Sequence, residues 1–302
     1  METVEAVLSS WKMMRRPIVG AFIHGSVAQR GTCAPGSDID LSIITPQAPD
    51  PAWFEERDVA GHIVEIYPLG LPQLADEESI LSSPALPFNL CQGIIVFDPD
   101  HSIQHIREQI RPQLCQKTYL LRRAEHCYKA ASTSYADARA ALEKNDGISA
   151  AQFGITVGLW NAIGLACAIE CRCPTMRRGF VHIWHAAETW NRPDVIVLAQ
   201  RALGSAGVTG NDLCGLAEIA GVIKARNRAG ILAMVENGEV EQAAFPLLCG
   251  AIWAPEREEN WEARQQILRF FGYHQRETLQ ERLEAAELLT ELLWGIGQSL
   301  HA

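Results

Sequence analysis

The stretch GAFIHGSVAQRGTCAPGSDIDLSII, Gly20 to Ile44, decides how this chain is read. It predicts an apolar strand over 18–23, a sharp turn at Gly25-Ser26, a short helix with a polar loop, and a second strand carrying Asp38 and Asp40. Side chains alternate across a strand, so Asp38, Asp40, Ser42 and Ile44 share one face while Ile39, Leu41 and Ile43 take the other. The apolar face is easy to bury. The opposite face holds two carboxylates about 7 Å apart along the chain, at roughly 3.3 Å per residue.

Carboxylates brought together repel, by up to about 4 kcal/mol at about 4 Å in a partly buried site. A divalent cation between them offsets that cost, and magnesium commonly takes one or two carboxylates plus substrate phosphates. Gly25-Ser26 supplies the complementary half of such a site. Glycine lets the backbone approach a phosphate closely, and the helix start behind it presents unpaired N–H donors and a positive dipole end. Phosphate cradle, spacer and metal carboxylates, in that order, point to nucleotide chemistry.

Outward from this stretch, FEERDV and HIVEIYPL read as two strands of a hairpin separated by Ala60-Gly61. In the second run Ile63, Glu65 and Tyr67 share a face, with His62, Val64 and Ile66 opposite. Glu65 is therefore an acid in the middle of an apolar strand. Pro, Leu and acidic residues over 70–92 suggest short helices, and GIIVF at 93–97 reads as a buried strand that completes the sheet.

HGS (His24 to Ser26) followed by SDIDLSII (Ser37 to Ile44) resembles the signature of the DNA polymerase β-like nucleotidyltransferases. That signature is an apolar residue, Gly-Ser, a spacer of about a dozen residues, then Asp-x-Asp or Asp-x-Glu. The chain is most similar to small bacterial members, the aminoglycoside and minimal nucleotidyltransferases, over about the first hundred residues. The resemblance implies ATP or another nucleoside triphosphate as co-substrate, and Mg2+ as cofactor. It also implies that Asp38, Asp40 and a third carboxylate from a neighbouring strand are the catalytic metal ligands. Glu65 stands at the matching place for the third, with Glu56 and Asp58 as alternatives. Gly25, Ser26, Ser37 and Arg30 fall to the nucleotide, whereas Arg15, Arg16 and Arg30 also suit a solvated surface.

Beyond about residue 101 the texture becomes helical. Leu114, Leu121, Tyr128, Tyr135 and Leu142 recur at seven-residue spacing on one stripe of a long helix over 113–144. The next run, Ile148 to Ile169, carries no charged residue and by length could cross a bilayer. Gln152, Thr156 and Asn161 interrupt it, so a central buried helix is the better reading. Gly154, Gly158 and Gly164 each cost about 1 kcal/mol of helix propensity against Ala, which close helix packing would offset. Further helical runs are expected at 175–190, 194–203, 211–227, 238–252, 257–273 and 275–301. The whole is thus expected to be α+β: a mixed-sheet nucleotidyltransferase domain over 1–100, then an all-α bundle over 101–302.

The totals bound the partners. Of 302 residues, 48% are hydrophobic and 21% charged, as in soluble globular chains. Net charge is −10 and the sequence pI about 5.4, which disfavours nucleic acid and favours a small cationic acceptor. Nine cysteines without disulfide-type spacing, and an amphipathic rather than signal-like N-terminus, suggest reduced thiols in the cytoplasm. Oligomeric state is not legible.

The expected activity is transfer of AMP from ATP to a hydroxyl of a small acceptor, with aminoglycosides as the leading class. Glu125, Asp137 and Glu143 on the long helix are candidate amine partners or bases, as the resemblance implies. Arg177 and His182, spaced as in the RNase motif of HEPN domains, keep open a toxin–antitoxin component acting on protein or RNA. A non-catalytic nucleotide sensor is a further alternative. Cys167, Cys171 and Cys173 near His182 and His185 invite zinc, but lack paired Cys-x-x-Cys knuckles; Cys167 and Cys171, four apart on an apolar helix, read better as buried small side chains.

Overall fold

The computed structural model describes residues 2–13, 17–30, 38–47, 55–59, 61–144, 146–219, 225–253 and 261–300. By its contacts the chain divides into two compact units, Met1–Leu120 and Leu121–Ala302. The first contains α1 (Glu2–Met13), β1 (Gly20–His24), α2 (Gly25–Arg30), β2 (Ile39–Thr45), β3 (Glu55–Val59) and β4 (His62–Gly70). It continues with α3 (Glu77–Ser82), α4 (Leu86–Gln92), β5 (Ile94–Phe97) and α5 (Ser102–Ile110).

Among the described residues the sheet has five strands in the order β3-β4-β2-β1-β5. β2 and β4 run parallel, and the other pairs are antiparallel. The alternation in the sequence decides what each face meets. Ala21, Ile23, Ile39, Leu41, Ile43, Val64 and Ile66 form one buried layer with Val4, Val7 and Leu8 of α1. On the other face Phe22 and Ile44 pack with Leu74, Ile80, Leu81, Leu90, Ile103 and Ile110, so this face is covered at its Gly20–Ile44 end. Toward His24 and Asp40 the same face turns polar. β5 is an edge strand whose Ile94 is exposed, so the buried position expected for 93–97 is corrected: among the described residues β1 alone pairs with it.

The boundary lies at Leu120, beyond the expected residue 100, for a local reason. Asp98 caps α5, its carboxylate accepting from the backbone N–H of Ile103 (3.1 Å) and Gln104 (2.9 Å). Arg107 on α5 donates to the carbonyls of Leu90 (2.8 Å) and Gly93 (2.7 Å). Ile103 sits so close to Gly20 that a Cβ there would lie 2.4 Å from its Cδ1. Capped, clamped and packed in this way, α5 belongs to the sheet rather than to the bundle.

The second unit takes most of α6 (Lys117–Leu142), then α7 (Ile148–Ile169), α8 (Gly179–Thr189), α9 (Pro193–Leu203), α10 (Gly210–Ala217) and α11 (Ala225–Glu236). α12 (Ala244–Trp253), α13 (Trp261–Phe270) and α14 (Arg276–Leu300) follow. α7 is long and apolar enough to cross a membrane, yet 78% of its apolar stretch is buried inside the protein. Its glycines meet α6: a Cβ at Gly158 would lie 2.0 Å from the Tyr135 ring, at Gly154 2.9 Å from Ala138, and at Gly164 2.8 Å from Cys127 Sγ. Close packing is thus what offsets their poor helix propensity. The single helix expected over 211–227 is instead α10, which ends at Ala217, and the start of α11.

Cys115 and Cys171 are each disulfide-bonded, which corrects the all-thiol expectation for those two. Cys91, Cys127, Cys167, Cys173, Cys214 and Cys249 carry no disulfide.

Candidate functional site

The sheet register brings together what the alternation only suggested. His24 on β1 pairs with Asp40 on β2, Asp40 with Glu65 on β4, and Glu65 with Glu56 on β3. Register partners point to the same face, and neighbouring strands lie about 4.8 Å apart. Asp40 and Glu65 are therefore side-by-side carboxylates. Like charges about 5 Å apart, at an effective dielectric near 20, repel by up to about 3 kcal/mol. Asp38 stands one pleat repeat from Asp40, immediately before β2. Of the alternatives, Glu56 lies one strand farther from Asp40. Asp58 pairs with Ile63 and accepts from the Gly61 N–H of the hairpin turn at 3.0 Å.

The turn leaving β1 abuts this row. Gly25 has φ +67°, and a Cβ built on it would lie 2.0 Å from Asp40 Oδ2. Both facts demand glycine: the backbone is left-handed, and the Asp40 carboxylate fills the space a side chain would need. Ser26 is half-buried beside it. α2 has only six residues, so its dipole is short and the turn itself is the feature that matters. Ser37, Arg15 and Arg16 lie outside the described residues, as does the Arg30 side chain.

Two residues that sequence reasoning left out of the site belong to it. Tyr67 donates its hydroxyl hydrogen bond to Glu65 Oε2 at 2.6 Å. Burial, that hydrogen bond, and the charges of Glu65, Asp40 and Asp38 hold its phenol well above the ordinary tyrosine range. Three carboxylates thus act electrostatically on one hydroxyl. His24 is 8% exposed, its pKa is pushed down to about 4 by burial, and it is neutral at pH 7. Its ring lies 5.8 Å from Phe22 and 5.4 Å from Tyr67, centroid to centroid. Among the described residues its Nε2 finds no hydrogen-bond partner. The next row, Phe22–Ser42–Tyr67, puts a small serine on β2 between two aromatic residues. The signal for both lay in the alternation: Tyr67 is two residues from Glu65, and His24 directly precedes the Gly25-Ser26 turn.

The donor set is carboxylate oxygen throughout, which fits a hard cation such as Mg2+. The fit is one of chemistry and face. Among the described residues no group of three or more His, Cys, Asp or Glu side chains is gathered closely enough to hold a metal. One oxygen of Glu65 is engaged by Tyr67 instead.

The remaining candidates fall in the second unit. Glu125 is exposed and ion-paired with Lys129 at 2.6 Å, and Asp137 is exposed. Glu143 lines a groove of about 710 Å³ between α6 and α14, with Glu284, Glu287 and Glu291 opposite. Glu287 is paired with Arg139, and Glu291 accepts from the Tyr128 hydroxyl at 2.7 Å. Arg177 precedes α8 and its side chain lies against Gly230. His182 is pulled below the usual histidine range, by burial first and then by Arg172, Arg178 and His185. Cys167 is buried in α7 as expected, whereas Cys171 lies past the end of that helix, half-buried and disulfide-bonded, which corrects the buried-side-chain reading for it.

No protein-family model matches the chain, and no curated relative does. A solved structure, that of a nucleotidyltransferase-like protein from Exiguobacterium sibiricum 255-15, is similar at 12% identity. The match covers 90% of this chain and 76% of that one, with a TM-score of 0.33. A likeness at that level carries no inference about activity.

Proposed function

We propose that this chain is a nucleotidyltransferase that moves AMP from ATP onto a hydroxyl of a small acceptor and releases pyrophosphate. The observation that carries this reading is the row in which Asp40 and Glu65 stand in register, with the Gly25 backbone pressed against the Asp40 carboxylate. A glycine turn against the Asp40 carboxylate, with Glu65 as its register neighbour, supports a phosphate approach beside cation ligands.

In this reading the acceptor oxygen forms a bond to the α-phosphorus as the bond from that phosphorus to pyrophosphate breaks. Asp38, Asp40 and Glu65 would hold Mg2+, and the Gly25-Ser26 turn would receive the phosphates. A bound divalent ion supplies charge neutralisation on the leaving group and activation of the attacking oxygen. His24, neutral and buried, neither competes for the cation by charge nor repels it, and its ring packs against Tyr67. The net charge of −10 supports a cationic acceptor, and aminoglycosides are the leading class.

Incubation with labelled ATP, Mg2+ and a panel of hydroxylated acceptors, followed by mass spectrometry, tests this. An adenylylated acceptor with pyrophosphate is expected. Nucleotide binding without pyrophosphate release for any acceptor is the behaviour of a sensor, and would overturn the transfer reading.

A further inference from the structure

We propose that the groove between α6 and α14 is the docking site for a lysine- or arginine-bearing amphipathic helix of a partner protein. The apolar side of that helix seats on Leu288, Ala136 and Ala140, and its cations meet Glu143, Glu284 and Glu291. The inference stands on the second unit alone and does not depend on the transfer reading.

The walls of the groove are held in place by the protein itself. Tyr128 stacks on Trp294 at 5.0 Å between ring centroids and donates to Glu291 at 2.7 Å. Farther along, the buried Tyr135 and Thr290 hydroxyls lie 3.2 Å apart, and Arg139 is ion-paired with Glu287. Arg276 then donates to the carbonyls of Leu142 and Lys144. Ascending α6 meets descending α14 in these rungs, so the helices run antiparallel and are tied along much of their length.

The space between them is about 710 Å³. Leu288 lines it while 53% exposed, and Ala136 and Ala140, exposed on α6, line it from the other wall. Small side chains there let a third helix approach to the packing distance of about 8–10 Å. Charge decides what that helix carries. Arg139 is taken by Glu287, Glu284 accepts from the Gln280 amide at 3.0 Å, and Glu291 accepts from the Tyr128 hydroxyl. Among the described residues no cation is paired with Glu143, Glu284 or Glu291.

The exposed stripe of α14 is longer than the groove, which favours an elongated partner over a small cation. Glu277, Glu281, Glu284, Leu288 and Glu291 follow at alternating four- and three-residue steps, and all are exposed. At about 1.5 Å per residue the stripe is about 21 Å long, or four helical turns. A second copy laying the same face there would set glutamate against glutamate, in a chain of net charge −10. An apolar ridge flanked by cations at helical spacing is the complement.

The test is fluorescence anisotropy on the full chain with labelled, Ala-rich helical peptides of about 20 residues. The first carries leucines at four- and three-residue steps flanked by lysines. Wild type should bind it, and should bind neither the version with its leucines replaced by alanine nor the one with its lysines replaced by glutamate. Leu288→Ser removes the exposed anchor and should weaken binding about tenfold. Glu284→Lys should do the same, while Glu188→Lys, the same charge change on exposed α8, should stay within about twofold.

No binding by the wild-type chain overturns the docking site. Equal binding of the leucine and alanine peptides, or equal weakening by Glu188→Lys and Glu284→Lys, is attraction by net charge alone and overturns it too. Spermine that binds as tightly as the leucine peptide and displaces it would replace the helix by a small cation.

Discussion

Gly25→Ala is the sharpest single perturbation of the site. Two effects add there. Alanine in the left-handed region, at φ +67°, costs about 1–2 kcal/mol, and the stiffer unfolded chain returns about 0.4–1, leaving a net loss of about 1 kcal/mol. The new Cβ would also lie 2.0 Å from Asp40 Oδ2, and that atom must retreat by more than about 1 Å to reach ordinary contact. A carboxylate end can rotate, so the second effect is small in stability but large in geometry. Misplacement by about 1 Å of a positioned group costs on the order of a hundredfold in rate. Gly61→Ala is the control, with φ +79° and nothing within 4 Å of its built Cβ. Urea denaturation and pyrophosphate release should be measured on both. Equal losses of stability, with activity lost only in Gly25→Ala, are expected. Activity retained in Gly25→Ala, or lost equally in Gly61→Ala, would refute the close approach of turn and carboxylate as a functional feature.

Glu65→Gln should lower the catalytic rate far more than nucleotide affinity, whereas Glu56→Gln should stay near wild type; the reverse in kinetics on the two variants would move the third ligand to β3. His24 gives a pH signature. Its folded pKa of about 4 lies below the unfolded 6.5, so the unfolded chain takes up a proton first as pH falls. Wild type should therefore lose about 3 kcal/mol through this group between pH 6.5 and pH 4. In urea midpoints across that range, His24→Phe should lack this part of the slope; identical slopes would sink the assignment. Gly158→Ala forces a methyl into the Tyr135 ring and should destabilise by about 1–3 kcal/mol, where a helix-propensity argument alone predicts a gain of about 1. A denaturation midpoint at or above wild type would contradict the α6–α7 contact.

Strand alternation made the polar and apolar faces of β2 and β4 legible before any coordinates, because a period of two assigns every residue to a side. It could not say which strand lies beside which. The β2–β4 pairing is a parallel, non-local contact, and only its register puts Glu65 rather than Glu56 next to Asp40. Tyr67 was legible in face and hidden in role, since a hydrogen bond from i+2 depends on a rotamer. The boundary at Leu120 was hidden for the same kind of reason: Arg107 reads as a solvated helix residue until the Leu90 and Gly93 carbonyls appear beside it. In the second unit the glycines of α7 forecast close packing, but composition could not identify Tyr135, Ala138 and Cys127 as the surfaces they meet.

The central claim is that Asp38 and Asp40, with Glu65, form a cation site for a nucleoside triphosphate. Its most direct test is calorimetric binding of ATP with and without Mg2+, for wild type, Asp38→Asn and Asp40→Asn. Wild type should bind ATP in a magnesium-dependent manner, and each variant should lose that dependence. Without metal both variants should melt no lower than wild type, since removing one charge relieves repulsion between like-charged neighbours. Magnesium-dependent binding that survives intact in Asp40→Asn would contradict the account.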